Sequence, residues 1–315
     1  MDKLQNWLST TPYAQYKLTI ASADASFRKY YRLTDDKESV LVMDASLEKE
    51  SLRPFLEVTK RLHQADVKAP QILEHNLEDG YLILEDFGST HYLDLLNKNN
   101  FKSLYQDAIK LIVQMQNASA KSLPLYDKAF LLFEMNLMQE WYLQGLLKRS
   151  LTQEQKETLD TTLKYISEIV LSQPQGLFVH RDFHSRNIML TAGKEIGVID
   201  YQDAMSGAVT YDLVSLLKDC YIEFDEETIS SLALEFKRAK NINVDDTTFL
   251  QWFDFMGLQR HIKVLGVFAR LHLRDGKDGY LKDIPLVLKY TLHAAKKYPQ
   301  TQALAKLLEE FTCEQ

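Results

Sequence analysis

Cysteine is almost absent from this sequence, which has only two in 315 residues, Cys220 and Cys313. Two cysteines so far apart provide neither a metal-ligand spacing nor a disulfide framework, which favours a reducing compartment. Long apolar runs are also missing: none approaches the roughly eighteen uninterrupted apolar residues of a membrane helix, and the first ten residues have no signal-peptide core. We therefore expect a cytoplasmic protein that is not bound to a membrane.

Basic blocks are lacking as well. The formal net charge is −7, with no run of lysine and arginine, so nucleic acid is not an expected partner. No internal repeat or low-complexity linker is present. The length of 315 residues fits one large or two modest domains, and an apolar fraction of 45% is ample for a buried core.

Three short apolar runs are predicted to be strands that end in polar clusters. They lie at residues 177–179, 188–190 and 195–199. Helical patterns dominate the remainder of the chain after residue 90. We predict helices at residues 91–99, 102–117, 128–149, 153–171, 212–223, 227–240, 247–273, 283–297 and 301–311. Before residue 90, strands at 18–34 (with a turn near 22–26) and 39–44 and a helix at 50–64 indicate a small β-rich region.

Polar residues follow the predicted strands in a specific order. His180, Asp182 and Asn187 have the spacing H-x-D-x-x-x-x-N, and Asp200 follows apolar Ile199. This is the pattern of a kinase catalytic loop and its metal-binding aspartate. Any one of these residues alone would be read as a turn or cap residue, but the full spaced set indicates phosphoryl transfer.

The residue types suit that chemistry, which depends on positioning and on neutralising charge. A carboxylate at Asp182 can orient the attacking hydroxyl and accept its proton. The amide oxygen of Asn187 and the carboxylate of Asp200 are hard ligands for Mg²⁺, whose shell ATP phosphates and waters would complete. We therefore predict Asp182, Asn187 and Asp200 as the catalytic set.

Other polar residues in this stretch have more than one interpretation. We expect His180 to fix the loop by hydrogen bonds, whereas His184 is open between orienting Asp182, touching substrate and making a plain loop contact. Asp212 is read first as a helix N-cap and second as a support beneath the catalytic loop. We expect Arg181 to hold acids such as Asp203, and Asp203 is a further candidate near the metal or substrate.

The segment after Asp200 favours a small acceptor. Eleven residues separate Asp200 from Asp212, and they contain no A-P-E element and no long activation segment of the kind that docks a peptide.

A family resemblance extends these interpretations. The segments HRDFHSRN and IDYQD resemble the aminoglycoside phosphotransferase and choline kinase superfamily. Further segments, at residues 22–33, 40–45, 85–96 and 260–285, are similar to bacterial anomeric kinases of N-acetylmuramate and N-acetylglucosamine. The resemblance implies an α+β, two-lobed protein-kinase-like fold, with a small β-rich nucleotide-binding lobe at residues 1–88 and a large helical lobe at residues 89–315.

The resemblance also implies an activity. It would be ATP- and Mg²⁺-dependent phosphorylation of the anomeric hydroxyl of an amino sugar in cell-wall recycling, with the product passing to a sugar-1-phosphate nucleotidyltransferase. Two alternatives stay open: another small acceptor, such as an aminoglycoside, choline or a fructosamine, or a nucleotide-binding pseudokinase without turnover.

The nucleotide lobe departs from the kinase pattern. No G-x-G-x-x-G precedes the first hairpin, and Met43 and Asp44 stand where V-A-I-K would place its lysine. Backbone N–H groups near Ser26 could cradle phosphate instead, and either Arg28 or Arg32 could reach it.

The strand at residues 81–85 ends at an expected hinge near Gly88. The Glu85 carbonyl and the Phe87 N–H are our candidates for binding adenine. Residues 260–274 are rich in basic side chains, which either pair with nearby acids or face the substrate. Arg260 is our first choice for the lactyl carboxylate of N-acetylmuramate.

Overall fold

The computed structural model describes residues 2–22 and 28–312. The strands are β1 Lys17–Ser22, β2 Lys29–Thr34, β3 Ser39–Asp44, β4 Ile72–Asn76, β5 Tyr81–Glu85, β6 Leu177–Val179, β7 Ile188–Leu190, β8 Ile196–Val198 and β9 Met205–Gly207. The helices are α1 Asp2–Leu8, α2 Leu52–Gln64, α3 Tyr92–Leu95, α4 Phe101–Met115, α5 Lys128–Leu137, α6 Gln153–Ser172, α7 Tyr211–Leu217, α8 Glu226–Ala239, α9 Asp246–Leu273, α10 Ile284–Lys297 and α11 Gln302–Thr312.

The chain forms two compact units. Unit 1 contains residues 1–95 and 186–204, and unit 2 contains residues 96–185 and 205–315. The chain thus enters unit 2 after Leu95, returns to unit 1 at Arg186, and re-enters unit 2 at Met205. The two units are defined by how the chain packs. The lobes at residues 1–88 and 89–315, which were defined by their expected functions, stay a prediction.

Unit 1 is built on an antiparallel five-stranded sheet with the order β1-β2-β3-β5-β4. Side chains of α1 and of β2, β3 and β5 form one of its apolar clusters, which contains Leu4, Leu8, Leu33, Val40, Val42, Tyr81 and Ile83. Helix α2 buries one stripe of side chains, as its apolar spacing predicts. The β7–β8 hairpin also belongs to this unit.

Unit 2 is helical around α9. This helix of 28 residues buries side chains on several faces, which shows that it lies inside the unit rather than on its surface. Its neighbours include α5, α6, α7 and α10 and a π-helical segment, Met138–Leu146, that continues α5. The short strands β6 and β9 pair in an antiparallel ladder next to the predicted catalytic loop.

Most predicted elements are present, but three predicted helices differ from the structure. The helix predicted at residues 91–99 is a single turn, α3, which ends at Leu95. Helix α7 ends at Leu217 rather than at residue 223, because Asp219 accepts a hydrogen bond from the Tyr221 N–H in a turn. The continuous helix predicted at residues 128–149 changes from α to π geometry after Leu137. Strands β4 and β9 and helix α1 were not predicted; β9 has only three residues, and its pairing depends on contact with distant β6.

Candidate active site

The predicted catalytic loop after β6 is held in place by two buried aspartates of unit 2. Asp212 accepts hydrogen bonds from the N–H groups of His180 and Arg181, at 2.8 and 3.0 Å. The N-cap interpretation of Asp212 is wrong, since Thr210 occupies the N-cap position of α7. The second hypothesis, a support beneath the loop, agrees with these contacts.

The second aspartate, Asp219, was not recognised in the sequence. Its carboxylate accepts hydrogen bonds from the Ser185 N–H at 2.9 Å and from the Ser185 hydroxyl at 2.5 Å. A buried carboxylate is stabilised by such donors, and it fixes their position in return. Asp219 therefore anchors one end of the loop segment that carries Asp182, and Asp212 anchors the other.

The backbone of the loop is strained at Arg181, whose φ of 77° lies in the left-handed region that favours glycine. Such a conformation persists only where the surroundings fix it. Here Asp212 holds the Arg181 N–H, and Glu134 holds its guanidinium at 2.6 Å. Arg181 therefore pairs with Glu134, and a contact between Arg181 and acids such as Asp203 stays a prediction.

Asp182 lies among basic side chains of unit 2. Burial acts to raise the pKa of Asp182, but nearby charges outweigh burial and lower that pKa to about 2. Lys263 has the largest effect of these, followed by His184, Arg260 and Arg181. The carboxylate is therefore ionised throughout the neutral range and is available as a hydrogen-bond acceptor.

Glu134 organises two of these cations. One of its oxygens, Oε1, contacts both the Arg181 guanidinium at 2.6 Å and the Lys263 ammonium at 3.2 Å. The other, Oε2, accepts hydrogen bonds from the Tyr126 hydroxyl and from Gln259. These charges of Arg181, Lys263 and Glu134 sum to +1, so the cluster keeps a positive field beside Asp182.

The two histidines of the loop have different surroundings. His180 is buried, its N–H is held by Asp212, and its ring meets Phe183 edge to face, all of which suits the expected structural role. The His184 ring meets Tyr221 edge to face at 5.2 Å, and its N–H donates to the Asp182 carbonyl at 3.0 Å. His184 is thus close to Asp182 through the backbone.

Arg260 is more deeply placed than the sequence suggested. Only 3% of the residue is exposed, and its guanidinium contacts the Cys220 sulfur at 3.2 Å. Its charge acts on Asp182 from inside the unit, which lowers the pKa of that carboxyl. Recognition of a substrate carboxylate by Arg260 stays a prediction, and this burial does not favour it.

Asn187 and Asp200 belong to unit 1, at the same end of the β7–β8 hairpin. Asn187 precedes β7 and Asp200 follows Ile199, whose N–H donates to the Asn187 carbonyl at 3.1 Å. Asp200 is exposed, has a left-handed φ of 63°, and accepts a hydrogen bond from the Gln202 amide at 2.9 Å. Gln202 also lies 3.3 Å from the carboxylate of Asp203.

These two side chains fit the ligand set of Mg²⁺. They offer an amide oxygen and a carboxylate oxygen from the same end of one β-hairpin. Among the described residues, no group of three or more His, Cys, Asp or Glu side chains forms a metal cage. Mg²⁺ in phosphotransferases normally takes one or two protein ligands and fills its shell with phosphate and water, so a smaller donor set is the appropriate one.

The arginines expected at the nucleotide differ in their surroundings. Arg32 forms a bidentate ion pair with Asp86, at 2.5 and 3.0 Å, and donates to the Gly88 carbonyl at 3.1 Å. Arg32 therefore braces the expected hinge, which leaves less of its guanidinium for phosphate. Arg28 is buried and lies immediately before β2. The phosphate loop expected near Ser26 lies outside the described residues.

The expected adenine hinge packs closely on the β7–β8 hairpin. The Phe87 ring lies over Gly197 of β8, where an added Cβ would come within 2.3 Å of the ring. Lys68, which the sequence did not single out, pairs with the Glu85 carboxylate at 2.6 Å and lies 5.5 Å from the Phe87 ring centroid. Both backbone candidates for adenine therefore belong to residues whose side chains are fixed.

The sequence and the fold both have known relatives. A family model described as "Phosphotransferase enzyme family" matches residues 17–250. The N-acetylmuramate/N-acetylglucosamine kinase of Neisseria meningitidis serogroup B is 41% identical, over 98% of this chain and 95% of the relative. The protein of the same name from Pseudomonas aeruginosa is 38% identical, over 93% and 88%.

Solved structures share the fold at low sequence identity. The gentamicin complex of an aminoglycoside phosphotransferase, APH(2")-IIa, has a TM-score of 0.66 at 15% identity, covering 92% of this chain and 96% of that one. A choline/ethanolamine kinase family protein from Mesorhizobium loti has a TM-score of 0.63 at 11% identity, covering 98% and 99%. The predicted α+β, kinase-like fold is confirmed.

Within residues 2–22 and 28–312, no helix has the length and apolar character needed to cross a membrane. The family match spans well over half of the chain and includes His180, Asp182, Asn187 and Asp200. The predicted enzyme class, a phosphotransferase, is likewise confirmed. This chain belongs to the phosphotransferase enzyme family.

Proposed function

We propose that this protein transfers the γ-phosphate of ATP to the anomeric hydroxyl of N-acetylmuramate or N-acetylglucosamine and releases the sugar 1-phosphate and ADP. The observation that carries the proposal is the surroundings of Asp182: an ionised carboxylate on a loop anchored at both ends, beside a positive cluster. The near full-length similarity to kinases named for these two sugars supports the choice of acceptor.

The proposed role of Asp182 follows from its low pKa. A carboxylate with a pKa of about 2 is a weak base, so it orients the hydroxyl by a hydrogen bond rather than removing its proton in advance. In a loose transition state the proton is transferred late, as the new O–P bond forms and the bond to the ADP oxygen breaks. Orientation of the acceptor is then the main contribution of Asp182.

Asn187 and Asp200 would hold Mg²⁺, which supplies positive charge to the phosphate oxygens when bound. We propose that the backbone of Glu85 and Phe87 binds adenine and that Arg28 and the segment around Ser26 serve the phosphates. Arg32 would act indirectly, because its ion pair with Asp86 fixes the segment that follows Glu85. In this proposal residues 1–88 form the nucleotide lobe.

The cellular role follows from the product. A sugar 1-phosphate is the substrate of a nucleotidyltransferase, so we propose that such an enzyme acts next, in the recycling of cell-wall amino sugars in the cytoplasm.

The test is an ATP-consumption assay with Mg²⁺ on four acceptors: N-acetylmuramate, N-acetylglucosamine, choline and kanamycin. We expect turnover with the two sugars alone. The product should release phosphate in mild acid, because a phosphate on an anomeric carbon is labile whereas one on choline or a ring hydroxyl is not. Turnover of choline or kanamycin in place of the sugars would contradict the proposed acceptor.

Three variants complete the test. Asp182→Asn and Asp200→Asn should each lower kcat by at least about a hundredfold, since each removes a group used in the transition state. Asp160→Asn, on the exposed face of α6, is the matched control and should behave as the wild type. A protein that binds ATP but turns over no acceptor would instead be a nucleotide-binding pseudokinase.

A further inference from the structure

An aromatic surface lies directly beside the positive cluster around Glu134. Phe130 and Phe133 are one helical turn apart on α5, with ring centroids 6.1 Å apart. Phe133 is 60% exposed, which is unusual for a phenylalanine. Glu134, the next residue, turns inward and is buried. The same turn of α5 thus presents an apolar ring outward and a carboxylate inward.

Arg181 links this aromatic surface to the catalytic loop. Its guanidinium carbon lies 5.4 Å from the Phe130 ring centroid and 5.9 Å from that of Tyr126. Two aromatic rings and the Glu134 ion pair therefore hold a cation whose neighbour in the chain is Asp182. The exposed ring of Phe133 is continuous with this arrangement through Phe130.

Lys263 is held in the same cluster but has donor capacity left. Its ammonium contacts Glu134 Oε1 and the Tyr211 hydroxyl, both at 3.2 Å. An ammonium has three N–H groups, and in the part of the chain that the structure describes these two oxygens are its hydrogen-bonding partners. Its side chain is 12% exposed and that of Arg181 is 17% exposed, whereas that of Glu134 is only 4% exposed. A ligand can therefore contact Lys263 and Arg181, whereas Glu134, which pairs with them, is closed off from solvent.

This combination suits one class of ligand. The C–H face of a pyranose ring packs on aromatic side chains, and a carboxylate on that sugar seeks cations that are already fixed in place. Glu134 pairs with both Lys263 and Arg181 when no ligand is bound. The two cations therefore still share a counter-ion when a sugar without a carboxylate occupies the site. The site can therefore accept an acidic sugar and its neutral counterpart.

We propose that Phe130 and Phe133 form the platform for the acceptor sugar, and that Lys263, with Arg181, binds the carboxylate that distinguishes N-acetylmuramate from N-acetylglucosamine. This inference rests on the proposed function and specifies its acceptor site. It assigns to Lys263 the role that the sequence had suggested for Arg260, because Arg260 is buried against Cys220.

The test measures kcat/KM for both sugars in the wild type and in four variants. Lys263→Met should lower the ratio of the N-acetylmuramate value to the N-acetylglucosamine value by about tenfold, the effect of one lost charge-assisted hydrogen bond. Lys263→Arg should restore most of the ratio. Using the ratio cancels any effect of Lys263 on Asp182, since that effect is common to both sugars.

Phe133→Ala should raise the KM of both sugars by about tenfold and leave the KM of ATP unchanged, because one stacking contact is lost on the acceptor side. Leu77→Ala is the matched control, an exposed apolar residue between β4 and β5 that should change neither KM. Thermal unfolding of each variant separates a loss of binding from a loss of folding.

The outcomes distinguish the two proposals. A wild type that phosphorylates neither sugar overturns the proposed function and, with it, this acceptor site. A wild type that phosphorylates both, combined with an unchanged ratio in Lys263→Met or an unchanged sugar KM in Phe133→Ala, overturns the acceptor site alone.

Discussion

Asp212 shows how a buried side chain that supports the loop can control the position of Asp182. Its two oxygens hold two consecutive backbone N–H groups. In Asp212→Asn one oxygen is replaced by an NH₂ group that cannot accept, so one buried N–H loses its partner, at a cost of about 1–3 kcal/mol. We expect kcat to fall at least about tenfold while the KM of ATP stays within about twofold.

Steady-state kinetics on both substrates, with thermal unfolding, check this expectation. Asp225→Asn is the control, because Asp225 caps the exposed start of α8. An Asp212→Asn enzyme with wild-type kcat would show that the loop keeps its geometry without this support.

Gly197 is required by the close approach of Phe87. A Cβ at Gly197 would lie 2.3 Å from the ring, and the ring is itself buried. Gly197→Ala should therefore displace Phe87, lower the free energy of unfolding by about 1–3 kcal/mol, and weaken ATP binding.

Gly193 provides the control within the same hairpin. A Cβ there meets its nearest described neighbour at 3.8 Å, so Gly193→Ala should have little effect on either quantity. Urea unfolding and calorimetric titration with ATP measure the two effects. If Gly197→Ala and Gly193→Ala had the same free energy of unfolding and the same affinity for ATP, the proposed contact between hinge and hairpin would be contradicted.

At the level of secondary structure, α9 is the element around which unit 2 is packed. Gly266 of α9 lies against the backbone where α5 ends and π geometry begins: an added Cβ would come 2.3 Å from the Leu137 carbonyl carbon. Backbone atoms cannot move aside as a flexible side chain can. We therefore expect Gly266→Ala to destabilise the protein by about 3 kcal/mol or more, despite the better helix propensity of alanine.

The same helix contains a contrasting glycine. A Cβ at Gly257 would have its nearest described neighbour at 3.8 Å, an ordinary contact. Gly257→Ala should then stabilise the protein by about 0.5–1 kcal/mol through helix propensity alone. Denaturant unfolding should show that Gly266→Ala lowers the free energy of unfolding and that Gly257→Ala raises it. Changes of the same sign in both variants would contradict the described packing of α9.

For the molecule as a whole, the dependence of stability on pH reflects groups buried with unusual pKa values. Burial lowers the pKa of His261 to about 3, and its Nε2–H donates to the Lys218 carbonyl. The neutral ring is thus the folded form, whereas the unfolded chain takes up a proton below about pH 6.5. The contribution of His261 to the free energy of unfolding is therefore fully present above pH 6.5 and is lost as the pH falls toward 3. Between pH 8 and pH 5 this loss is about 2 kcal/mol.

His261→Gln keeps a donor for the Lys218 carbonyl and removes the titration. The difference between the free energies of unfolding at pH 8 and pH 5 should then change by about 2 kcal/mol relative to the wild type. The comparison with the wild type is needed because burial raises the pKa of Asp212 to about 7. The titration of Asp212 changes stability in the opposite direction over the same pH range, and it is present in both proteins. An unchanged difference would show that His261 does not limit stability in acid.

Charge on the whole molecule and charge at the site have opposite signs. The net charge of −7 gave no indication of the local excess of cations around Asp182. Arg181 and Lys263 are 82 positions apart in the sequence. They meet because α9 and the loop after β6 both contact Glu134 of α5.

Features that depend on local spacing could be predicted from the order of the residues alone. These are the helices and strands whose apolar periodicity is strong, and the motif from His180 to Asp200, because both rest on residues close together in the chain. Features that depend on packing between distant segments became visible only in the folded protein: Glu134 as a shared counter-ion, Asp219 as an anchor, and the burial of Arg260. Such contacts follow from how helices pack against one another, and neither composition nor spacing carries that information.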